Sequence, residues 1–181
     1  EFRRVLFRSD ALEPWSEQVV ALGASLVEAR REAVAALSEP FAENTGALGL
    51  GEGTLAYEGE PLTPGDLQAK LESDIARGIT TLGPHLHDIA IADGSRALRP
   101  FGSQGEQRLA VLALLLAEIA LLPSSPLLLL DDVLSELDSR RRRVLAERVG
   151  SIEQTVITAT HRSALPVDPA QVVEVSHGQA R

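Results

Sequence analysis

Apolar positions in this chain switch between helical and strand spacing, and each switch predicts an element. From Trp15 to Ala36 the apolar or small residues Trp15, Val19, Leu22, Leu26, Ala29, Ala33 and Ala36 advance in steps of four and three, which predicts a helix with one apolar seam. Pro14 suits the first turn of that helix, and Pro40 is expected to end it. Glu28, Arg30 and Arg31 fall off the seam, on a face expected to be solvated. The stretch up to about Gly65 carries Gly46, Gly49, Gly51, Gly53 and Gly59, with Leu55 and Tyr57 alternating against polar neighbours, and reads as loop with one strand. Leu67–Arg77 predicts a short helix capped by Gly78. Ile89 and Ile91 then alternate as in a strand, before a turn at Asp93-Gly94.

The second half is more apolar. Glu106 to Leu122 is apolar nearly all round, which predicts a central helix packed on several sides. Proline and serine break the run at 123–126, and Leu127–Leu130 follow, bounded by Pro126 and by Asp131-Asp132. Four apolar residues between such limits suit a strand buried on both faces of a parallel sheet. Thr155–Ala159 is a second short β-branched run joined to the first by one helix, a βαβ unit with the expected right-handed crossover. Val172–Val175, with a turn at Ser176–Gly178, predicts a last strand. The fold class is therefore α/β.

Composition narrows the partners. The chain has 181 residues, no cysteine and a net charge of -9, and Lys70 is the only lysine among seventeen basic residues. The lack of cysteine excludes disulfides and thiolate metal sites and suits a reducing compartment. An acidic chain is a poor stand-alone DNA binder, because affinity for nucleic acid is dominated by phosphate neutralisation. Arg140–Arg143 would wrap round a helix rather than form one stripe, and the five arginines between Asp131 and Gly150 are matched by five acids, so pairing with neighbouring acids or a partner subunit is expected. The longest apolar run, Leu109–Leu122, is interrupted by Glu118 and too short to span a membrane. Glu1–Ser9 matches nothing that follows in pattern and reads as a non-native segment.

Candidate chemistry concentrates between Ser103 and Asp138. Ser103 with Glu106 three residues on matches a helix capping box. The same residues allow a second reading, in which Ser103 and Gly105 leave the helix N-terminus open to an anion. Asp131 and Asp132 sit at the C-terminal edge of a predicted strand, where open α/β sheets bind ligands and a carboxylate can hold Mg2+. The competing reading is a solvated turn, although two adjacent carboxylates repel each other. His85 and His87 lie two apart, so on a strand they would share one side and could share a metal. His161 follows the end of the second buried strand.

Together these residues carry a resemblance. Ser103-Gln104-Gly105-Glu106-Gln107-Arg108 resembles the signature motif of ABC-type ATPases, Leu127–Asp132 a Walker B strand, and Ser135-Glu136-Leu137-Asp138 the D-loop after it. With Gly83-Pro84-His85 and Phe101-Gly102 upstream, the set resembles the RecF family of DNA replication and repair ATPases, over roughly Trp15 to Gly178. Leu86 and His87 depart from the charged residues usual there. The resemblance implies the C-terminal part of an ABC-type, RecF- or SMC-like ATPase head with a partial helical arm: arm and connecting lobe at 10–80, head at 81–181.

By the same resemblance, ATP and Mg2+ are the cofactors. Asp131 would hold the metal, Asp132 would orient or deprotonate water, and His161 would reach the γ-phosphate. Ser103, Gln104, Gly105, Glu106, Ser135 and Asp138 would face nucleotide bound by a second copy. Aspartate at 132, where most ABC enzymes carry glutamate, implies slow turnover. No G-x-x-x-x-G-K-[ST] occurs in the chain, so the phosphate cradle is expected in an N-terminal part outside it, and the chain alone is expected to be inactive. The implied partners are single-stranded or gapped DNA, a second copy, RecO and RecR, with no membrane. The implied setting is cytoplasmic DNA replication, recombinational repair and the SOS response. An SMC-like structural clamp needs a longer heptad arm, and an OLD-type nuclease appends a further carboxylate cluster.

Overall fold

The computed structural model describes residues 12–165, 167–176 and 178–180, so the segment read as non-native at 1–9 lies outside the described residues. Helix α1 runs Glu13–Leu48 and passes straight through Pro40, which was expected to end it. A proline inside a helix removes one N–H and crowds the carbonyl four residues back. Beyond it, however, Phe41, Asn44, Thr45 and Leu48 are all buried, and continuing the helix is the way to bury them on one face. The helix stops at Gly49, whose φ of 74° is left-handed, with the Leu50 amide closing onto the Thr45 carbonyl at 2.9 Å.

The predicted seam has the right period and the wrong phase. The residues that pack are Gly23, Val27, Val34 and Phe41, while Trp15 and Leu22 are 66% and 70% exposed. On the face expected to be solvated Glu28 is exposed, but the two arginines are half-buried braces: Arg30 donates to the Pro84 carbonyl and the Tyr57 hydroxyl, and Arg31 pairs with Glu60 at 2.7 Å. These contacts tie α1 to strand β1 (Gly53–Glu58) and to the 3-10 turn Pro84–Leu86. Between α1 and β1, a Cβ at Gly53 would collide with Thr45, whose hydroxyl accepts the Gly53 amide at 3.1 Å. Only glycine fits that approach.

Strand β1 pairs antiparallel with β2 (Asp88–Asp93), Leu55 opposite Ile91 and Tyr57 opposite Ile89, and β2 turns at Gly94 into the short β3 (Arg96–Ala97). Helix α2 (Pro64–Arg77) lies between β1 and β2 in the chain, opened by a Thr63–Asp66 capping box and closed by Gly78 at φ 67°. His85 falls in the 3-10 turn and His87 just beyond it, so they share no strand face. His87 Nδ1 is 2.7 Å from the Tyr57 hydroxyl, and His85 Nε2 is 3.4 Å from the Thr80 carbonyl. Among the described residues no group of three or more histidines, aspartates or glutamates is arranged to hold a metal.

A short helix α3 (Leu98–Phe101) leads into α4 (Gln104–Leu121). Strand β4 (Leu127–Leu130), helix α5 (Ser139–Val149) and strand β5 (Gln154–Ile157) form the expected βαβ unit, with Leu128 beside Thr155 and Leu130 beside Ile157 in parallel register. Two expectations about burial are corrected. Strand β4 buries Leu128 and Leu130 and leaves Leu127 and Leu129 54% and 65% exposed, because the described sheet has one covered face. Helix α4 likewise buries Leu109, Leu112, Ala113 and Leu116 but exposes Val111 and Leu121, and Leu122 just past its end is exposed too. The last strand, expected at Val172–Val175, is the two-residue β6 (Val175–Ser176), paired with β7 (Gln179–Ala180).

The core forms where α1, α4, the β4–β5 unit and α5 meet, around Phe41, Leu48, Ala113, Leu130, Leu134 and Leu145. An apolar groove of about 420 Å³ opens beside it, lined by residues that include Ala33, Ala36, Leu122 and Leu127. No helix among the described residues is long and apolar enough to cross a membrane.

Candidate nucleotide-facing site

The first turn of α4 has the reciprocal geometry that Ser103 and Glu106 predict. The Ser103 hydroxyl accepts the Glu106 amide at 3.3 Å, and the Glu106 carboxylate accepts the Ser103 amide at 2.7 Å. This uses two of the orphan amides of the helix start and leaves those of Gln104 and Gly105 without an intrahelical acceptor. Both residues are exposed, and a Cβ at Gly105 would meet nothing within 4 Å. The bareness of Gly105 thus serves no internal packing. The cap therefore coexists with an exposed, unobstructed first turn.

Two side chains hold this turn: Arg96, which the sequence did not single out, and Gln107, which it placed in the signature-like motif without a role of its own. Arg96 pairs with Glu106 at 2.6 Å and with Asp93 at 3.2 Å, joining the hairpin to the helix start. That pairing, with the Ser103 amide second, drops the Glu106 carboxyl to about 2. Gln107 donates to the carbonyls of Leu98, Arg99 and Gly102, clamping the approach to the helix. Arg96 lies ten residues before Glu106, beyond the reach of a helical or strand period, and only the fold of the hairpin brings the two together.

The second part of the site lies at the end of β4. Asp131 and Asp132 are exposed there, and Asp132 is the only described non-glycine residue in the left-handed region, at φ 49°. Thr158, just past β5, engages both: its hydroxyl donates to Asp131 Oδ1 and accepts the Asp132 amide at 2.9 Å. Ser135, in the 3-10 turn Val133–Glu136, donates its hydroxyl to the Asp132 carbonyl at 2.9 Å. Asp138 is the N-cap of α5, and its carboxylate accepts the Arg141 amide, the first cause of its lowered pKa.

The arginine run divides as its wrapping implies. Arg141 donates to the Leu48 carbonyl and pairs with Asp138, Arg142 donates to the Leu134 carbonyl, and Arg140 and Arg143 are exposed. His161 is exposed at the start of the turn Arg162–Ala164, three residues beyond Thr158. The ion pair of Arg108 with Glu136 joins helix α4 to the turn after Asp132. It makes one connected surface of the two halves of the site.

Whether magnesium and nucleotide suit this surface is decided by its donors. Mg2+ with a nucleotide takes one or two carboxylates and fills its other positions with phosphate and water. Asp131, exposed and with one oxygen oriented by a hydroxyl, fits as one such ligand, and the open turn at Gly105 fits an approaching anion.

No family model matches the chain. Its curated relatives include the DNA replication and repair protein RecF of Desulfitobacterium hafniense, 33% identical over 93% of this chain and 50% of that protein. The RecF of Thermosynechococcus vestitus is 34% identical over 92% and 49% respectively. Among solved structures, the recombination mediator protein RecF-ATPrS superposes with a TM-score of 0.80 at 24% identity, covering 98% of this chain and 52% of that one. An SMC ATPase described for ATP-driven dimerization superposes at 0.54 and 19% identity, over 86% of both chains. The fold is thus that of a RecF- and SMC-type ATPase head. Within that class the chain belongs to the RecF family and matches its C-terminal half, spanning about half the length of the curated relatives.

Proposed function

We propose that this chain is the C-terminal part of a RecF-type ATPase of DNA replication and recombinational repair, whose ATP is bound and hydrolysed between two copies of the protein. The observation that supports this reading is an exposed helix start beside two exposed carboxylates, in a chain whose sequence carries no phosphate-cradling motif. The open turn at Ser103 and Gly105 and the Asp131-Asp132 pair are joined by Arg108–Glu136. Such a surface can complete a site that another polypeptide begins. ATP, once held by the P-loop elsewhere, supplies the phosphoryl group to be transferred to water.

In this reading Asp131 ligates the magnesium, Asp132 orients or deprotonates the attacking water, and His161 faces the γ-phosphate. Ser103, Gln104, Gly105 and Glu106 present the helix start to the nucleotide of the second copy, with Ser135 and Asp138 at the seam between copies. Residues 10–80 serve as arm and connecting lobe and 81–181 as head portion, the joint made by the β1–β2 pairing across that boundary. The whole protein acts on single-stranded or gapped DNA in the cytoplasm with RecO and RecR, and contributes to the SOS response. With a net charge of -9, this half contributes little of the DNA affinity.

Complementation tests the shared site. In the full-length protein Ser103→Arg places bulk and a fixed charge on the open turn, so ATP-dependent dimerisation should fail while nucleotide binding persists. Loss of the cap alone would cost only about 1 kcal/mol of stability. Mixing this variant with one whose P-loop lysine is replaced should restore hydrolysis, because one intact P-loop then faces one intact Ser103 turn. Mixed dimers, verified by mass, that remain inactive would reduce Ser103 to a helix cap.

A further inference from the structure

Thr158 is the residue that engages both members of the Asp131-Asp132 pair, the carboxylate of the first and the backbone amide of the second, and it carries none of the roles assigned so far. Its amide donates to the Leu130 carbonyl at 2.9 Å, extending the β4–β5 ladder by one residue past the strands. Its hydroxyl then donates to Asp131 Oδ1 and accepts the Asp132 amide. A hydroxyl has one proton and two lone pairs, so the two bonds are compatible at the same time. Threonine suits the task better than serine, because branching at Cβ restricts the rotamer that aims the oxygen.

We propose that Thr158 is a positioning residue of the ATPase site, which orients the metal-binding carboxylate of Asp131 and locks the backbone that aims Asp132. This rests on the roles given to Asp131 and Asp132 above. The left-handed conformation of Asp132 is one that L-residues adopt at a cost and keep only when the surroundings hold them. Here the peptide groups on either side are pinned, the amide by Thr158 and the carbonyl by Ser135 at 2.9 Å. With Oδ1 of Asp131 engaged, the orientation of the whole carboxylate is set by that one bond. Thr158 also fixes the end of β5 three residues before His161, so one hydroxyl registers the two loops of the site against each other.

A merely structural threonine would behave differently. Thr158, Asp131 and Asp132 are all exposed, so water replaces the lost bonds and removal of the hydroxyl leaves no buried group unsatisfied. Stability should change little and orientation should change a great deal. The full-length protein is compared with its Thr158→Val, Thr158→Ser and Asp131→Asn variants. The readouts are melting temperature, the Mg2+ concentration that half-saturates ATP-dependent dimerisation, and Mn2+ binding to the ATP complex by electron paramagnetic resonance.

Thr158→Val should melt close to the parent yet need on the order of tenfold more Mg2+, the usual consequence of losing a partner that orients a metal ligand. Thr158→Ser should recover most of that loss. Thr158→Ala replaces the valine variant if that one does not fold. An Mg2+ midpoint unchanged in Thr158→Val, while Asp131→Asn shifts it, overturns the role of Thr158 and leaves that of Asp131 standing. A midpoint unchanged in both overturns the assignment of Asp131 and the inference with it. A shift that serine fails to rescue, and that tracks a fall in melting temperature, makes Thr158 structural.

Discussion

Glu106 caps its helix, pairs with a cation and lies in the turn proposed to meet a phosphate, so its charge must be neutralised if an anion is to approach. Arg96 provides that neutralisation at 2.6 Å and the Ser103 amide adds to it, which lowers the carboxyl from 4.5 to about 2. A carboxyl depressed in the folded state stabilises the fold above its unfolded pKa, and the contribution is lost as pH falls through the folded value. The window for Glu106 is therefore from about 4.5 down to about 2. Melting temperature against pH should show Glu106→Gln below the parent at neutral pH, with the gap closing across that window. Asp66, lowered mainly by the Thr63 hydroxyl, and Asp138, lowered mainly by the Arg141 amide, shift in the same direction in both proteins and cancel in the difference. Parallel curves would mean that the Arg96 pair is not formed in solution. The cap itself was legible, since Ser103 and Glu106 stand three apart. Arg96 was not, because its partner is reached only through the β2–β3 turn.

Helix α1 shows which element-level signals survive folding. Its helical period was plain from Trp15 onward, and so were its start at Pro14 and the strand at Leu55 and Tyr57. Its end and its buried face were not. Pro40 is a strong local stop, but four buried residues beyond it outweigh the lost hydrogen bond, a tertiary gain invisible to a residue-by-residue rule. The apolar seam that the period picked out is real, yet Gly23, Val27 and Val34 are the positions that pack within this chain. Phe41 is fully buried at the point where the helix has just passed its proline, so Phe41→Ala should cost about 3–5 kcal/mol. Trp15→Ala, on the exposed seam, should stay within about 0.5 kcal/mol. Denaturant midpoints measure both. Equal losses would show that the seam, and not the Phe41 line, carries the packing.

At the scale of the molecule, the apolar surface left bare is the main departure from what the sequence led one to expect. Strand β4 and helix α4 read as buried on every side, because Leu127–Leu130 and Leu109–Leu122 carry almost no polar residue. In this chain each is covered on one side, leaving Leu127, Leu129 and Val156 on the sheet and Trp15, Val19, Leu22 and Leu26 along α1. The composition is that of elements covered twice, and the chain spans about half the length of its RecF relatives. If the chain is the C-terminal part of a longer RecF-type protein, as proposed above, the N-terminal part of that protein is the expected cover for these faces. Trp15 is the sole tryptophan and 66% exposed, which makes it a reporter. When this chain is titrated with a tryptophan-free N-terminal half, Trp15 emission should shift to the blue and saturate at one to one. Leu22→Glu should fold normally, since Leu22 is 70% exposed, and should weaken the association by placing a charge in the seam. If the halves co-elute while Trp15 emission and the Leu22→Glu complex stay unchanged, the α1 seam lies outside the contact, and the cover is confined to the sheet face and the groove beside Leu122 and Leu127.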